Sequence, residues 1–216
     1  MVKNFVIFGD SYSTYEGYIP ETFPTYYCEQ GRPQGPLVTK MKLEETWWGR
    51  LLKNTDAKLV LNNSWSGSTV CYTGYAGDCS TSSSFIYRYR QLQKEGFFTD
   101  KRIDTLFVFG GTNDSWANAP LGTLRFSDWE EKDLFNVLPA ICYFMHRLKT
   151  DFPNTRIVFL ANCGIKTEII EGIKIAGERF KVGVIQLENI DKDSGHPTVK
   201  GMGEIYNQVL NFLQGE

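Results

Sequence analysis

Short apolar runs alternate along the chain with longer stretches in which apolar residues recur every three to four positions. The short runs predict five buried strands: Asn4–Phe8, Leu59–Asn62, Thr105–Phe109, Arg156–Ala161 and Val182–Leu187. The longer stretches predict helices over Thr46–Lys53, Ser84–Glu95, Ser127–Phe152, Thr167–Phe180 and Val199–Leu213. Regular alternation of strand and helix indicates a parallel sheet covered by helices on both faces. We therefore expect one doubly wound α/β domain over residues 1–216.

Polar residues mark several helix ends. Thr46 is placed to cap the first helix, and Ser127 stands three residues before Glu130, a spacing that predicts a capping box. Pro139 interrupts the long helical stretch, where it either kinks one helix or begins a second.

Composition narrows the class of protein. The 216 residues carry a formal net charge of -2. The chain therefore lacks the excess of positive charge that favours binding of nucleic acid, and no nucleic-acid partner is expected. Five cysteines without a CxxC pair argue against a disulfide framework or a zinc site and favour free buried thiols. No apolar run approaches the roughly 20 residues that span a bilayer. The apolar run Phe5–Phe8 is too short for a secretory signal, so a cytoplasmic protein is expected, with prior removal of a leader peptide as the alternative.

The first strand runs directly into Gly9-Asp10-Ser11-Tyr12-Ser13. This order puts a serine hydroxyl at the carboxyl edge of the sheet, where doubly wound folds bind ligands. Taken alone, the motif is more typical of an ordinary strand-to-helix turn with a capping Asp or Ser.

Two further polar blocks follow the second and third strands. They are the stretch 63–69, Asn-Ser-Trp-Ser-Gly-Ser-Thr, and the stretch 110–114, Gly-Gly-Thr-Asn-Asp. A glycine N–H and the Asn113 amide are donors that could stabilise an oxyanion. Each block, taken singly, is also a plausible Gly/Asn turn.

A fourth block, Asp193-Ser194-Gly195-His196, leads into the last helix. A neutral imidazole can accept a serine proton while a carboxylate orients its other nitrogen. His146, the other histidine of the chain, falls inside a helical stretch. The pattern therefore favours His196 as base, with Asp193 as the acid that orients it and Asp191 as a near rival.

The order and spacing of these four blocks resemble the GDSL-like, or SGNH, hydrolase family over nearly the whole chain. The resemblance implies a three-layer α/β/α flavodoxin-like fold with a five-stranded parallel sheet, no metal and no organic cofactor. It implies a serine esterase or acylhydrolase in which Ser11 attacks an ester and forms an acyl-enzyme. It also implies an oxyanion hole formed by the Ser11 N–H, the Gly67 N–H and the Asn113 side chain.

Two features depart from the minimal family pattern. Tyr12 stands where leucine is usual, which we interpret as a difference in specificity or packing. The segment Glu16–Glu45 is longer than expected, and this length leaves the acyl and alcohol specificity open.

Aromatic residues are frequent in the loops after the first three strands. Flat rings with polar edges suit sugar faces as well as acyl chains. We assign Tyr12, Trp65 and Trp116 as candidate substrate-binding residues, with loop packing as the alternative. The expected partner is a small-molecule ester, with acetyl esters of carbohydrates favoured over lipase or lysophospholipase substrates.

Two non-hydrolytic readings stay open at this point. One is a flavodoxin-like domain that binds a phosphate or flavin at Ser11, Ser13 and Thr14, which leaves the fourth block unexplained. The other is a catalytically silent carbohydrate-binding domain.

Overall fold

A five-stranded sheet forms the centre of the structure, which a computed structural model describes over residues 2–215. Its strands are β1 (Asn4–Gly9), β2 (Lys58–Ser64), β3 (Thr105–Gly110), β4 (Arg156–Ala161) and β5 (Gly183–Gln186). All neighbouring strands are parallel, in the order β2-β1-β3-β4-β5. The five strands predicted from the sequence are confirmed.

Helices cover both faces of the sheet. They are α1 (Trp47–Asn54), α2 (Phe85–Lys94), α3 (Thr112–Trp116), α4 (Val137–Asp151), α5 (Thr167–Phe180) and α6 (Val199–Gln214). Helices α1 and α6 pack on one face, while α2, α4 and α5 pack on the other. The three-layer α/β/α architecture and the flavodoxin-like strand order agree with the expectation.

The core is divided into two clusters by the sheet. Along β1, Phe5 and Ile7 join the cluster beneath α1 and α6, whereas Val6 and Phe8 join the cluster beneath α2, α4 and α5. Successive side chains of a strand point to opposite faces, so a central parallel strand must be apolar at every position. This requirement explains the unbroken apolar runs in the sequence.

One predicted helix is shorter than expected. The stretch from Ser127 does not begin a helix. A 3-10 turn occupies Glu131–Phe135, and α4 begins only at Val137. The Asp133 carboxylate accepts hydrogen bonds from the Glu130 N–H at 2.8 Å and from Arg125 at 2.6 Å, which closes a local turn instead.

The expected Ser127 capping box is therefore wrong, and Pro139 belongs to the first turn of α4, where a missing N–H costs no hydrogen bond. The cap predicted at Thr46 is confirmed, since its hydroxyl oxygen accepts from the Gly49 N–H at 3.0 Å.

The strand order brings three loops together. Because β1 pairs with β2 on one side and with β3 on the other, the carboxyl ends of these strands meet at one edge of the sheet. The polar blocks that follow each strand therefore lie side by side. Within residues 2–215, no helix combines the length and apolar character needed to cross a membrane.

We expect Gly9→Ala to destabilise the fold. A Cβ at this position would lie 2.4 Å from Ser64 Oγ and 2.7 Å from Ser13 Cβ, so the close approach of β1 to its neighbours would be lost. Overpacking of this kind lowers the free energy of unfolding by about 1–3 kcal/mol, which urea denaturation measures.

Gly203→Ala is the matched control. Gly203 lies inside α6, and the nearest atom to an added Cβ is 3.6 Å away on Arg50. Replacing an unstrained helical glycine should stabilise the protein by about 0.5–1 kcal/mol. A Gly9→Ala variant as stable as wild type would contradict the proposed close packing.

Candidate active site

Ser11 follows directly after β1. It begins a short 3-10 turn, Ser11–Ser13, whose preceding residue Asp10 accepts a hydrogen bond from the Tyr12 N–H at 3.0 Å. Ser11 is only 2% exposed, so its hydroxyl lies at the base of the site and not on an open loop. Burial raises the pKa of Asp10 to about 7, against the opposing effect of the Tyr12 N–H bond.

His196 reaches Ser11 across the site. Its Nε2 lies 3.0 Å from Ser11 Oγ, although the two residues are 185 positions apart in the chain. The histidine comes from a short hairpin, in which Lys192–Asp193 pairs antiparallel with His196–Pro197 just before α6. The structure thus brings together the two residues that the sequence predicted as nucleophile and base. Such a contact permits proton transfer from the hydroxyl to the imidazole.

The Asp193 carboxylate forms its hydrogen bond with Ser194 rather than with the imidazole. Its carboxylate accepts a hydrogen bond from the Ser194 hydroxyl at 3.0 Å, and within residues 2–215 no hydrogen bond joins it to His196. The partner of His196 Nδ1 is the Ser194 backbone carbonyl, at 3.3 Å. The rival acid, Asp191, accepts a hydrogen bond from the Thr198 hydroxyl. Neither carboxylate occupies the orienting position that the sequence analysis expected for Asp193.

The environment of His196 favours the neutral imidazole. Burial lowers the pKa of His196, the hydrogen bond with the Ser194 carbonyl raises it, and the positive charge of Lys192 lowers it further. The net shift is downward from the ordinary value of about 6.5. The Lys192 Nζ is held 3.0 Å from Asn162 Oδ1 and 2.9 Å from the Cys163 carbonyl oxygen.

Gly67 and Asn113 lie at the same edge of the sheet. Gly67 has a φ of +85°, and no atom lies within 4 Å of where a Cβ would project, so a substrate can approach its backbone. Asn113, in α3, donates from Nδ2 to the Ser68 carbonyl at 3.0 Å and accepts from the Tyr75 hydroxyl at 2.9 Å. These two bonds fix the amide orientation and leave one Nδ2 hydrogen for a ligand.

The expected substrate contact of Tyr12 is corrected by the structure. Its side chain is fully buried, and its hydroxyl donates to the Gly195 carbonyl at 2.5 Å. The ring therefore packs beneath the His196 loop instead of facing a substrate.

Trp65 and Trp116 lie nearer the surface. Trp65 is half-buried and packs against Phe23 with ring centroids 4.4 Å apart. Trp116 is 40% exposed, and its ring centroid is 5.7 Å from that of His196. Tyr75, which contacts Asn113, is 57% exposed. Of the predicted trio, Trp116 combines exposure with proximity to His196.

Sequence reasoning missed Arg88. This residue of α2 is 3% exposed, and its guanidinium donates to Asn63 Oδ1 at 2.6 Å, to Ser68 Oγ at 3.0 Å and to the Gly9 carbonyl at 3.3 Å. It therefore joins the carboxyl ends of β1 and β2, where the first two loops of the site begin, and it also contacts the second loop through Ser68. Arg88 lies three residues after Phe85 on the buried face of α2, and a charged residue on an apolar helical face is the signal that could have found it.

Asp114 anchors the second of these loops to the third. Its fully buried carboxylate accepts from the Val70 and Cys71 N–H groups, each at 3.0 Å. Burial raises the pKa of Asp114, and the two N–H bonds oppose that rise. The motif that carries Asn113 therefore also fixes the chain just after Gly67.

The cysteine side chains are not joined to one another. All five are free thiols, and all but Cys163 are buried. Within residues 2–215, no cluster of three or more His, Cys, Asp or Glu side chains could hold a metal ion. A cavity of about 860 Å³ lies at the opposite edge of the sheet, lined by residues such as Val2, Leu51 and Tyr206, far from Ser11.

Comparison with known proteins identifies the class. The family profile described as GDSL-like lipase/acylhydrolase matches residues 3–213, and the chain belongs to this family of hydrolases. A candidate GDSL-like lipase from Bacteroides ovatus is 37% identical, with a TM-score of 0.88 and 100% of both chains covered. A candidate GDSL-like lipase from Bacteroides uniformis is 38% identical, with a TM-score of 0.88 and coverage of 100% of this chain and 97% of the other.

A more distant solved structure shares the fold. The acetyl xylan esterase Est2A from Butyrivibrio proteoclasticus is 20% identical, with a TM-score of 0.62 over 99% of this chain and 63% of that chain. A search of curated proteins finds no match.

We expect Lys192→Gln to move the acid limb of the kcat/KM profile to higher pH. Only neutral imidazole can accept a proton, and removing the positive charge raises the pKa of His196. The wild-type limb should accordingly lie below about pH 6.5. The measurement is hydrolysis of an activated acetyl ester between about pH 4 and pH 8.

Lys200→Gln serves as the control, because Lys200 is exposed and pairs with Glu204 on α6. Its acid limb should coincide with that of wild type. A Lys192→Gln limb that moves to lower pH would refute the electrostatic role of Lys192.

Proposed function

We propose that this protein is a serine esterase that cleaves small carboxylic esters, with acetyl esters of carbohydrates as its substrate class. The observation that carries the proposal is the 3.0 Å contact between Ser11 Oγ and His196 Nε2 at the carboxyl edge of the sheet. Gly67 and Asn113 lie at the same edge and supply the donors that an ester carbonyl oxygen needs as it becomes negative. Membership of the GDSL-like family supports hydrolysis as the reaction class.

In the first step Ser11 Oγ attacks the ester carbonyl carbon while its proton passes to His196 Nε2. The carbonyl oxygen becomes an oxyanion held by the Ser11 N–H, the Gly67 N–H and the free hydrogen on Asn113 Nδ2. The bond to the alcohol oxygen then breaks, and the alcohol leaves with the proton from His196. An acyl group remains on Ser11.

In the second step water attacks the acyl-enzyme. His196 takes a proton from the water, and the same three donors hold the second oxyanion. When the bond to Ser11 breaks, His196 returns the proton to Oγ and a carboxylic acid leaves. Both half-reactions use one base and no external cofactor.

Two features of the site favour a small acyl group on a sugar. Ser11 and Asn113 are only 2% and 3% exposed, so little space surrounds the reacting carbonyl. Trp116 and Tyr75 offer exposed aromatic faces beside it, and such rings stack on sugars. The shared fold with an acetyl xylan esterase is compatible with this substrate class.

The decisive experiment measures hydrolysis of p-nitrophenyl esters of graded chain length beside acetylated xylan, with Ser11→Ala as the blank. We expect acetyl esters to react fastest and the Ser11→Ala variant to lose at least about 10⁴ in kcat, because no other group can form the acyl-enzyme. A fluorophosphonate should label wild type at one site.

Ser82→Ala, at an exposed loop serine, is the matched control and should keep wild-type turnover and labelling. Unchanged turnover in Ser11→Ala would remove Ser11 as nucleophile. A preference for long acyl chains would instead favour a lipase or lysophospholipase, and a yellow protein that resists labelling would favour a flavin-binding domain.

We expect Asn113→Ala to lower kcat by about 10²–10³ with a much smaller change in KM, since an oxyanion donor acts mainly in the transition state. Asn54→Ala removes an exposed amide from the end of α1 and should leave both constants unchanged. An effect of Asn113→Ala on KM alone would make Asn113 a substrate-binding residue instead.

A further inference from the structure

The loop that carries His196 is a tight hairpin. Ser194 and Gly195 both have positive φ, +49° and +80°, and connect paired residues Asp193 and His196. Positive φ at both central positions defines the two-residue hairpin turn of type I′. In this turn the Ser194 carbonyl comes to His196 Nδ1, while Asp193 is exposed and bonded to the Ser194 hydroxyl.

Three tyrosines hold this hairpin from outside it. The Tyr12 hydroxyl donates to the Gly195 carbonyl at 2.5 Å, and the Tyr27 hydroxyl donates to the Pro197 carbonyl at 3.0 Å. Both rings are fully buried. Their bonds thus fix the backbone on each side of His196.

The third tyrosine contacts the imidazole itself. The Tyr26 ring stacks on His196 with centroids 3.7 Å apart and an interplanar angle of 7°. This contact restricts rotation of the imidazole, because a tilted ring would collide with the tyrosine face.

Two of these tyrosines, Tyr26 and Tyr27, belong to the long segment Glu16–Glu45 that follows the turn carrying Ser11. The Tyr26 N–H donates to the Thr14 hydroxyl at 2.9 Å, and the Glu16 N–H donates to the Tyr27 carbonyl at 3.1 Å. The segment is therefore tied to the turn that carries Ser11. Nucleophile and base are positioned by one connected set of hydrogen bonds.

We propose that Tyr12, Tyr26 and Tyr27 form a tyrosine clamp that positions His196. A hydrogen bond from Nδ1–H to a backbone carbonyl leaves the Nε2 lone pair facing Ser11. This inference rests on the proposed esterase function.

The first test removes single hydroxyls. Tyr12→Phe and Tyr27→Phe should each lower kcat for an activated acetyl ester about tenfold with little change in KM, because misplacement of a base impairs only the chemical step. Tyr15→Phe is the matched control. It removes a buried hydroxyl that donates to the Met41 carbonyl at 3.1 Å, away from the hairpin, and should keep wild-type kcat.

The second test separates stacking from hydrogen bonding. Tyr26→Phe should retain activity because the ring still stacks on His196, whereas Tyr26→Leu should lose about tenfold in kcat. Tyr26 is half-buried, so this pair remains informative if a buried tyrosine variant fails to fold.

Equal losses of kcat in Tyr12→Phe and Tyr15→Phe would show that buried tyrosine hydroxyls act only through general stability. That result would overturn the proposal. Failure of the esterase proposal is distinguishable, because Ser11 would then resist fluorophosphonate labelling in wild type and in every variant.

Discussion

A buried guanidinium holds together the edge of the sheet where the site forms. Arg88 donates to the Gly9 carbonyl at the end of β1, to Asn63 near the end of β2, and to Ser68 in the loop that follows β2. Burial lowers the pKa of Arg88 to about 9, although the nearby Asp10 favours the charged form. A buried cation left without acceptors would cost several kcal/mol, so these loops are stable only in the arrangement that surrounds it.

The residues that bind Arg88 are close in sequence to the residues of the candidate site. Gly9 precedes Ser11 by two residues, and Ser68 directly follows Gly67. The Ser68 carbonyl oxygen also accepts a hydrogen bond from Asn113 Nδ2, and the Ser68 hydroxyl oxygen accepts one from the Arg88 guanidinium. The turn that carries Ser11 and the proposed oxyanion donors Gly67 and Asn113 therefore share one anchor, and preorganisation of the site is a property of the core packing beneath it.

Much of the fold could be predicted because its signals are local. The apolar runs fixed the five strands, and the threonine at position 46 identified the start of α1, since periodicity and capping are properties of a few adjacent residues. The stretch from Ser127 failed because Asp133 completes a competing turn through Arg125, a contact that periodicity does not report.

Only part of the candidate site could be predicted from the sequence. Ser11 follows β1 directly and His196 lies in the hairpin after β5, and the parallel sheet brings both connections to its carboxyl edge. The orientation of Asp193 depends instead on two positive φ angles in a hairpin, and the contacts of Arg88 depend on partners up to 79 residues away. Neither the backbone angles of the hairpin nor the distant partners of Arg88 can be predicted from the spacing of residues in the sequence.

The two departures from the minimal family pattern have one physical explanation within the proposed clamp. A leucine at position 12 could fill the space beneath the His196 hairpin but could not donate a hydrogen bond. A buried tyrosine hydroxyl needs an acceptor, and Tyr12 finds one in the Gly195 carbonyl. The long segment adds Tyr27 on the far side of the histidine and Tyr26 on its face. Neither addition alone would fix both the hairpin backbone and the ring plane. Within the proposed clamp, Tyr12 and the segment Glu16–Glu45 therefore act together to position His196.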